Sequence, residues 1–151
     1  MTVVHHTAIR VHDIEASLRF WREGLGFEVL MDKTFEGDWP TLLDAPSHSL
    51  RSIFLGRPDR PDSGIVELVD LGAEESPEPA PRIRSAGFLL VSIMTDVDST
   101  LGKLTSLGLG GDPRRISVSG VEMCTVVDPD GVVVELIESV ASVNLNRLTS
   151  P

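Results

Sequence analysis

Val133-Val134-Glu135-Leu136-Ile137, delivered by the turn signal Asp128-Pro129-Asp130-Gly131, repeats a phrase written once before as Ile65-Val66-Glu67-Leu68-Val69. Each is a short β-branched run with one carboxylate at its centre, the pattern of a buried strand. Upstream the likeness continues. His6-Thr-Ala-Ile-Arg-Val11 leads through a helix-like run to Leu25-Gly26-Phe27. Phe88-Leu-Leu-Val-Ser-Ile93 leads through another to Leu107-Gly108-Leu109. A duplicated unit can bring corresponding positions together around one cavity. The repeat therefore nominates His6, Glu67, Phe88 and Glu135.

The elements between these anchors follow from local signals. Residues 3–11 alternate and read as a strand. Asp13 fits an N-cap, with Ile14, Leu18, Trp21 and Leu25 at helical spacing and Gly24 and Gly26 as the stop. Phe27 to about Thr34 predicts a strand. The stretch 35–49, with Gly37, Pro40 and Pro46, predicts mostly loop. Strands are expected at 50–55 and 65–71. Gly72-Ala-Glu-Glu-Ser-Pro-Glu-Pro-Ala-Pro81 has no large apolar residue and predicts an extended linker. The second half then predicts a strand at 87–93 and a helix at 97–107 capped by Asp96 or Thr95. A turn at 108–113 follows, then a hairpin around Gly120 and a last strand at 132–137. The expected organisation is a first βαβββ module at 1–71, a linker at 72–86, a second βαβββ module at 87–138 and a polar tail at 139–151.

Bulk properties bound the function. At 151 residues and 41% hydrophobic content, the chain can build one ordinary domain or two half-domains. A net charge of −10 argues against a nucleic-acid partner, which needs a basic face. No apolar run approaches the roughly 20 residues of a membrane helix. The N-terminus lacks the basic and apolar regions of a signal peptide, so a cytoplasmic protein is the expectation. The single Cys124, among alternating apolar residues, predicts a buried inert thiol. With no tyrosine, a phenolic acid, base or ligand is excluded.

Strand alternation sorts the candidates. His6, Ala8 and Arg10 share one face of the first strand; the more apolar Thr7, Ile9 and Val11 face the helix. Glu67 shares a face with Ile65 and Val69, and Glu135 with Val133 and Ile137. An ionised carboxylate among aliphatic groups is costly unless it is paired or binds a metal. One such glutamate more often simply faces water; a matched pair points to ligands. By the same parity, His5 and His12 face the helix side or sit near strand ends. His48 lies in a loop that can reach a cavity mouth. An imidazole with carboxylates suits a divalent ion such as Zn²⁺, Fe²⁺, Mn²⁺, Co²⁺ or Ni²⁺. Three protein ligands with open positions make a catalytic rather than a closed structural arrangement.

With these motifs, the chain resembles the vicinal oxygen chelate superfamily, which includes glyoxalase I, methylmalonyl-CoA epimerase, extradiol dioxygenases and the fosfomycin and bleomycin resistance proteins. The resemblance covers nearly the whole chain and implies an α+β fold: two tandem βαβββ modules forming a cupped mixed sheet, often within a homodimer. It implies metal ligation by His6, Glu67 and Glu135, with Glu135 also able to act as the catalytic base. The fourth ligand position, usually histidine, falls on Phe88. The site is then three-coordinate from protein, or weak, or lost. A two-histidine extradiol dioxygenase site is disfavoured, and one histidine with two carboxylates tilts toward Mn²⁺, Mg²⁺ or Fe²⁺.

Two functions follow as expectations. One is a metal-dependent lyase or isomerase that stabilises an enolate or enediolate of a small oxygenated substrate. Phe88, Trp39, Phe54 and Met123 would be its apolar walls, with core packing as the plainer role for each. Arg10, or less favourably Arg51, would bind an anionic substrate group. The other is a metal-free binder of a cationic aromatic ligand, like the bleomycin-sequestering members. The negative charge and Phe88 favour the binder; His6, Glu67 and Glu135 favour the enzyme.

Overall fold

The computed structural model describes residues 2–72 and 86–139. The Pro/Glu-rich linker and the C-terminal tail fall almost entirely outside them. The chain divides into two compact units, Met1–Glu78 and Pro79–Pro151.

The first unit begins with β1 (His6–Arg10) and α1 (Ile14–Leu18), which continues as a π-helical turn over Arg19–Gly24. Then come β2 (Glu28–Glu36), α2 (Trp39–Leu43), β3 (Ser49–Gly56) and β4 (Ile65–Asp70). The sheet order is β1-β4-β3-β2, with β1 parallel to β4 and the other pairs antiparallel. Asp13 caps α1 as its sequence suggests, accepting from the backbone N–H of Glu15 and Ala16 at 3.0 and 3.1 Å. In the wide turn that follows, Phe20 and Trp21 are both fully buried. Burying a large side chain completely contributes about 1.5–3 kcal/mol, so this pair anchors the helix to its sheet. On the same side, Val66 and Leu68 of β4 are buried.

The second unit repeats the plan: β5 (Val91–Thr95), α3 (Val97–Ser106), β6 (Gly110–Val118), β7 (Val121–Val127) and β8 (Val133–Glu138), in the order β5-β8-β7-β6. Again only the β5–β8 pair is parallel. Asp96 is the cap of α3, accepting from Ser99 N–H at 2.8 Å. Glu138, at the end of β8, accepts from Val97 N–H at 3.1 Å, so a carboxylate meets the positive end of the helix. Asp128 sets up β8. Its buried Oδ1 accepts from Asp130 and Val132 N–H, and Gly131 takes a φ of 83° to close the turn. Cys124 is buried, as expected.

The α+β class and the repeated βαβββ order are observed. Three local expectations change. The stretch 35–49 is not mostly loop: β2 runs to Glu36, and Asp38 caps the short α2 with Pro40 in its first turn. The stretch 108–113 is not simply a turn, because β6 starts at Gly110 and absorbs an irregularity before Arg114. The first strand of the second unit is not 87–93 but Val91–Thr95. Its parallel register against β8 sets it there: Ser92 pairs with Glu135 and Thr95 with Glu138.

Candidate functional site

In the first unit, strand register gathers the nominated residues on one face. Glu67 lies between Ala8 of β1 and Phe54 of β3, while His6 pairs with Ile65 and Ser52 with Val69. The flanking Ile65 and Val69 are buried, as the sequence implied. Glu67 keeps only 15% of its side chain exposed, and its Oε2 lies 3.1 Å from His6 Nε2. Its other oxygen, Oε1, accepts a 2.5 Å hydrogen bond from the buried hydroxyl of Ser52. The carboxylate in an aliphatic setting is thus paired, as its desolvation requires.

Phe54 lies against His6, with ring centroids 5.3 Å apart. Phe54 thus packs against the imidazole of this pair. Trp39 packs on Ala45, Leu50, Val69 and Leu71, and its indole N–H donates to Phe35 O at 3.1 Å. Plain packing thus accounts for Trp39. Arg10 is exposed on the His6 face. Arg51 is engaged elsewhere, by a two-pronged ion pair with Asp32 at 2.7 and 2.9 Å. That pair holds the Asp32 carboxyl below its ordinary range and the Arg51 guanidinium above its own. His48 is held against Gly37: its Nδ1 donates to Gly37 O at 3.0 Å, and Gly37 N–H returns a bond to His48 O.

Two residues of this face were not among the site candidates of the sequence reading. Ser52 carries no signal of its own until the β3–β4 register places it diagonal to Glu67. For His5 the sequence leaves two readings, the helix side by parity or a place near a strand end, and the second holds. The strand β1 starts at His6, so His5 escapes that parity. Its Nδ1 lies 2.9 Å from His6 Nδ1, and its ring is 5.9 Å from Phe54.

In the second unit, Glu135 is partly buried between Ser92 of β5 and Thr125 of β7, with Met123 opposite Ile137 on the same face. Among the described residues, Glu135 has no hydrogen-bond or ion-pair partner. Phe88 is two-thirds exposed and precedes β5. Its equivalence with His6 does not survive the register. Ala8 faces Glu67, and Ser92 faces Glu135. Two residues back from each stand His6 and Leu90. The slip arises because Phe88 and His6 were matched by sequence spacing, while β5 pairs two residues later against its carboxylate strand. Leucine, like phenylalanine, has no donor for a metal, so the missing fourth ligand remains missing.

The chemistry of the first unit's pair fits a divalent ion. Nitrogen and oxygen ligands each about 2.0–2.2 Å from one ion, at tetrahedral or octahedral angles, stand roughly 2.9–3.4 Å apart. The His6–Glu67 separation of 3.1 Å falls in that range. Without an ion, the same separation serves as an ordinary ion pair. Among the described residues, no set of three or more His, Cys, Asp or Glu is assembled as a metal group, and no helix is long and apolar enough to cross a membrane.

A family model described as the Glyoxalase/Bleomycin resistance protein/Dioxygenase superfamily matches residues 3–136. The lactoylglutathione lyase-like protein terB of Aspergillus terreus is 33% identical, over 89% of this chain and 74% of its own length. Among solved structures, the trypanothione-dependent glyoxalase I of Leishmania major aligns with a TM-score of 0.63 at 25% identity, over 91% of this chain and 87% of its own. A glyoxalase family protein from Bacillus cereus aligns with a TM-score of 0.70 at 16% identity, over 91% and 94%.

Proposed function

The chain belongs to the Glyoxalase/Bleomycin resistance protein/Dioxygenase superfamily, and we propose that within it the protein is a metal-dependent lyase or isomerase of the glyoxalase type, acting on a small oxygenated substrate. The relatives named as lactoylglutathione lyase and glyoxalase I support a glyoxalase-like lyase. The observation that carries the reading is the His6–Glu67 pair: two good donors 3.1 Å apart on the face away from the helix, one of them nearly buried.

His6 and Glu67 are the ligands the first module would supply, and Glu135 is the corresponding carboxylate of the second. A divalent ion there supplies, when bound, Lewis-acid polarisation of a substrate oxygen. The chain's residues do the rest. Glu135 takes a proton from the carbon beside a carbonyl and returns it to the neighbouring carbon. Phe54 walls the His6 side, while Met123 and Phe88 are the further apolar contacts proposed. Arg10 would bind an anionic group of the substrate.

Protein purified without chelator is expected to retain a divalent ion, or to take one up on titration, and a His6→Ala variant to lose it. Failure of the native protein to bind Zn²⁺, Mn²⁺, Fe²⁺, Co²⁺ or Ni²⁺ would falsify the metal-dependent reading. The lack of a histidine at either Leu90 or Phe88 favours a second reading, metal-free capture of a cationic aromatic compound. Binding of such a compound by metal-free protein, with no effect of His6→Ala, would select it.

A further inference from the structure

We infer that His5 and Ser52 are positioning residues that each occupy one donor atom of the His6–Glu67 pair and so leave Nε2 and Oε2 as the only pair of donors facing one another. The inference rests on the reading of His6 and Glu67 as metal ligands and says how this chain holds them.

Glu67 has two oxygens, and Ser52 removes one. The Ser52 hydroxyl, 2% exposed, donates to Oε1 at 2.5 Å. Oε2 is left, and it is the oxygen facing His6 Nε2 at 3.1 Å. A carboxylate held in this way presents one oxygen, not a chelating edge.

His6 has two nitrogens, and His5 takes the other. The two Nδ1 atoms, 2.9 Å apart, can form a hydrogen bond only with a single proton between them. When that proton is on His6 Nδ1, its Nε2 carries a bare lone pair, the form in which imidazole binds a metal. His5 Nδ1 is then the acceptor. Hydrogen bonds of this kind to the far nitrogen of a ligating histidine fix its tautomer and ring angle. Phe54 lies against both imidazoles, with centroids at 5.3 and 5.9 Å, and restricts their rotation. The chain spends two adjacent histidines at the mouth of β1, where alternation no longer sends them to opposite faces.

The test is Co²⁺ titration of the wild type and of His5→Phe, Ser52→Ala, Ser52→Thr and His6→Ala, followed by equilibrium dialysis and by the visible spectrum of the bound ion. His5→Phe keeps an aromatic ring beside Phe54 and removes both nitrogens. Affinity is expected to fall about 10–100-fold in His5→Phe and in Ser52→Ala. Ser52→Thr retains the hydroxyl and should recover most of the loss. In Ser52→Ala the freed Oε1 can join Oε2 on the ion, so its Co²⁺ spectrum should change in intensity, which a folding defect alone does not produce. Wild-type affinity and spectrum in both His5→Phe and Ser52→Ala, with binding lost in His6→Ala, would overturn this inference and leave the ligand reading standing. No Co²⁺ uptake by the wild type would overturn both. His5 is exposed, so its variant remains informative if the buried Ser52 proves intolerant of change.

Discussion

The two modules share one strand order and place a glutamate at the same register position, yet they treat it differently. Glu67 is committed, with Ser52 on one oxygen and His6 at the other. Glu135 stands between Ser92 and Thr125 in a row of the same construction, with no hydrogen-bond or ion-pair partner among the described residues. Where the first module has a histidine two residues before the strand partner of its glutamate, the second has Leu90. Duplication preserved the backbone and let the two carboxylates diverge. A carboxylate held at both oxygens suits a fixed ligand. One whose oxygens have no partner among the described residues suits a group that must reach a substrate proton.

The largest effect is expected from breaking that division of labour. Glu135→Gln keeps the shape and removes the base, so kcat should fall about 10²–10⁴-fold while metal content falls less. Glu67→Gln should reverse the pattern, with loss of metal as the primary defect. Metal analysis beside steady-state kinetics for the two variants separates the roles. Equal loss of metal in both would mean that the two carboxylates are plain ligands.

A smaller effect tests the register. If Leu90 occupies the second module's counterpart of the His6 position, Leu90→His should give that module a histidine beside Glu135 like the His6–Glu67 pair and raise its uptake of a divalent ion. Phe88→His, two residues upstream and outside β5, should leave affinity unchanged. The opposite outcome would restore Phe88 as the equivalent of His6.

This pair of residues also shows where the sequence stopped being readable. The βαβββ order was legible because each element carries its own signal: Asp13 and Asp96 as caps, Asp128-Pro-Asp-Gly as a turn, and two glutamate-centred strands. Face assignment within β1 and β4 was legible too, because alternation inside a strand is strict. Register between strands was not. It is set by cross-strand pairing and by irregularities such as the one between Gly110 and Arg114, which leave no local mark. Hence Phe88 was matched with His6, and Ser52 was invisible although it touches Glu67. His5 sits at a strand end, where alternation does not fix a face, since β1 begins one residue later.

The smallest effect concerns the helix-side face, where the modules differ by inversion. Asp32 pairs in register with Ile53, which pairs with Leu68; Arg115 pairs with Cys124, which pairs with Leu136. Asp32 and Arg115 are therefore counterparts, as are Arg51 and Glu122, two residues back along the neighbouring strand. The two diagonal ion pairs, Asp32–Arg51 at 2.7 Å and Glu122–Arg115 at 2.9 Å, occupy the same place with opposite polarity. Hydrogen bonds from the arginines lower both carboxyls below their ordinary range. A depressed folded-state pKa contributes stability above the unfolded value, about 3.9 for Asp, and the contribution disappears as pH falls through the folded value. More than a third of each side chain in the Asp32–Arg51 pair is exposed. Solvent screening then limits Asp32→Asn to about 0.2–1 kcal/mol at pH 7. In urea unfolding, that deficit should be full at pH 7 and smaller at about pH 3, below the unfolded value. A deficit of the same size at both pH values would assign the loss to packing or backbone effects rather than to charge. The double variant Asp32→Arg with Arg51→Glu, which gives the first module the polarity of the second, should recover the pH 7 stability of the wild type, whereas Asp32→Arg alone should not.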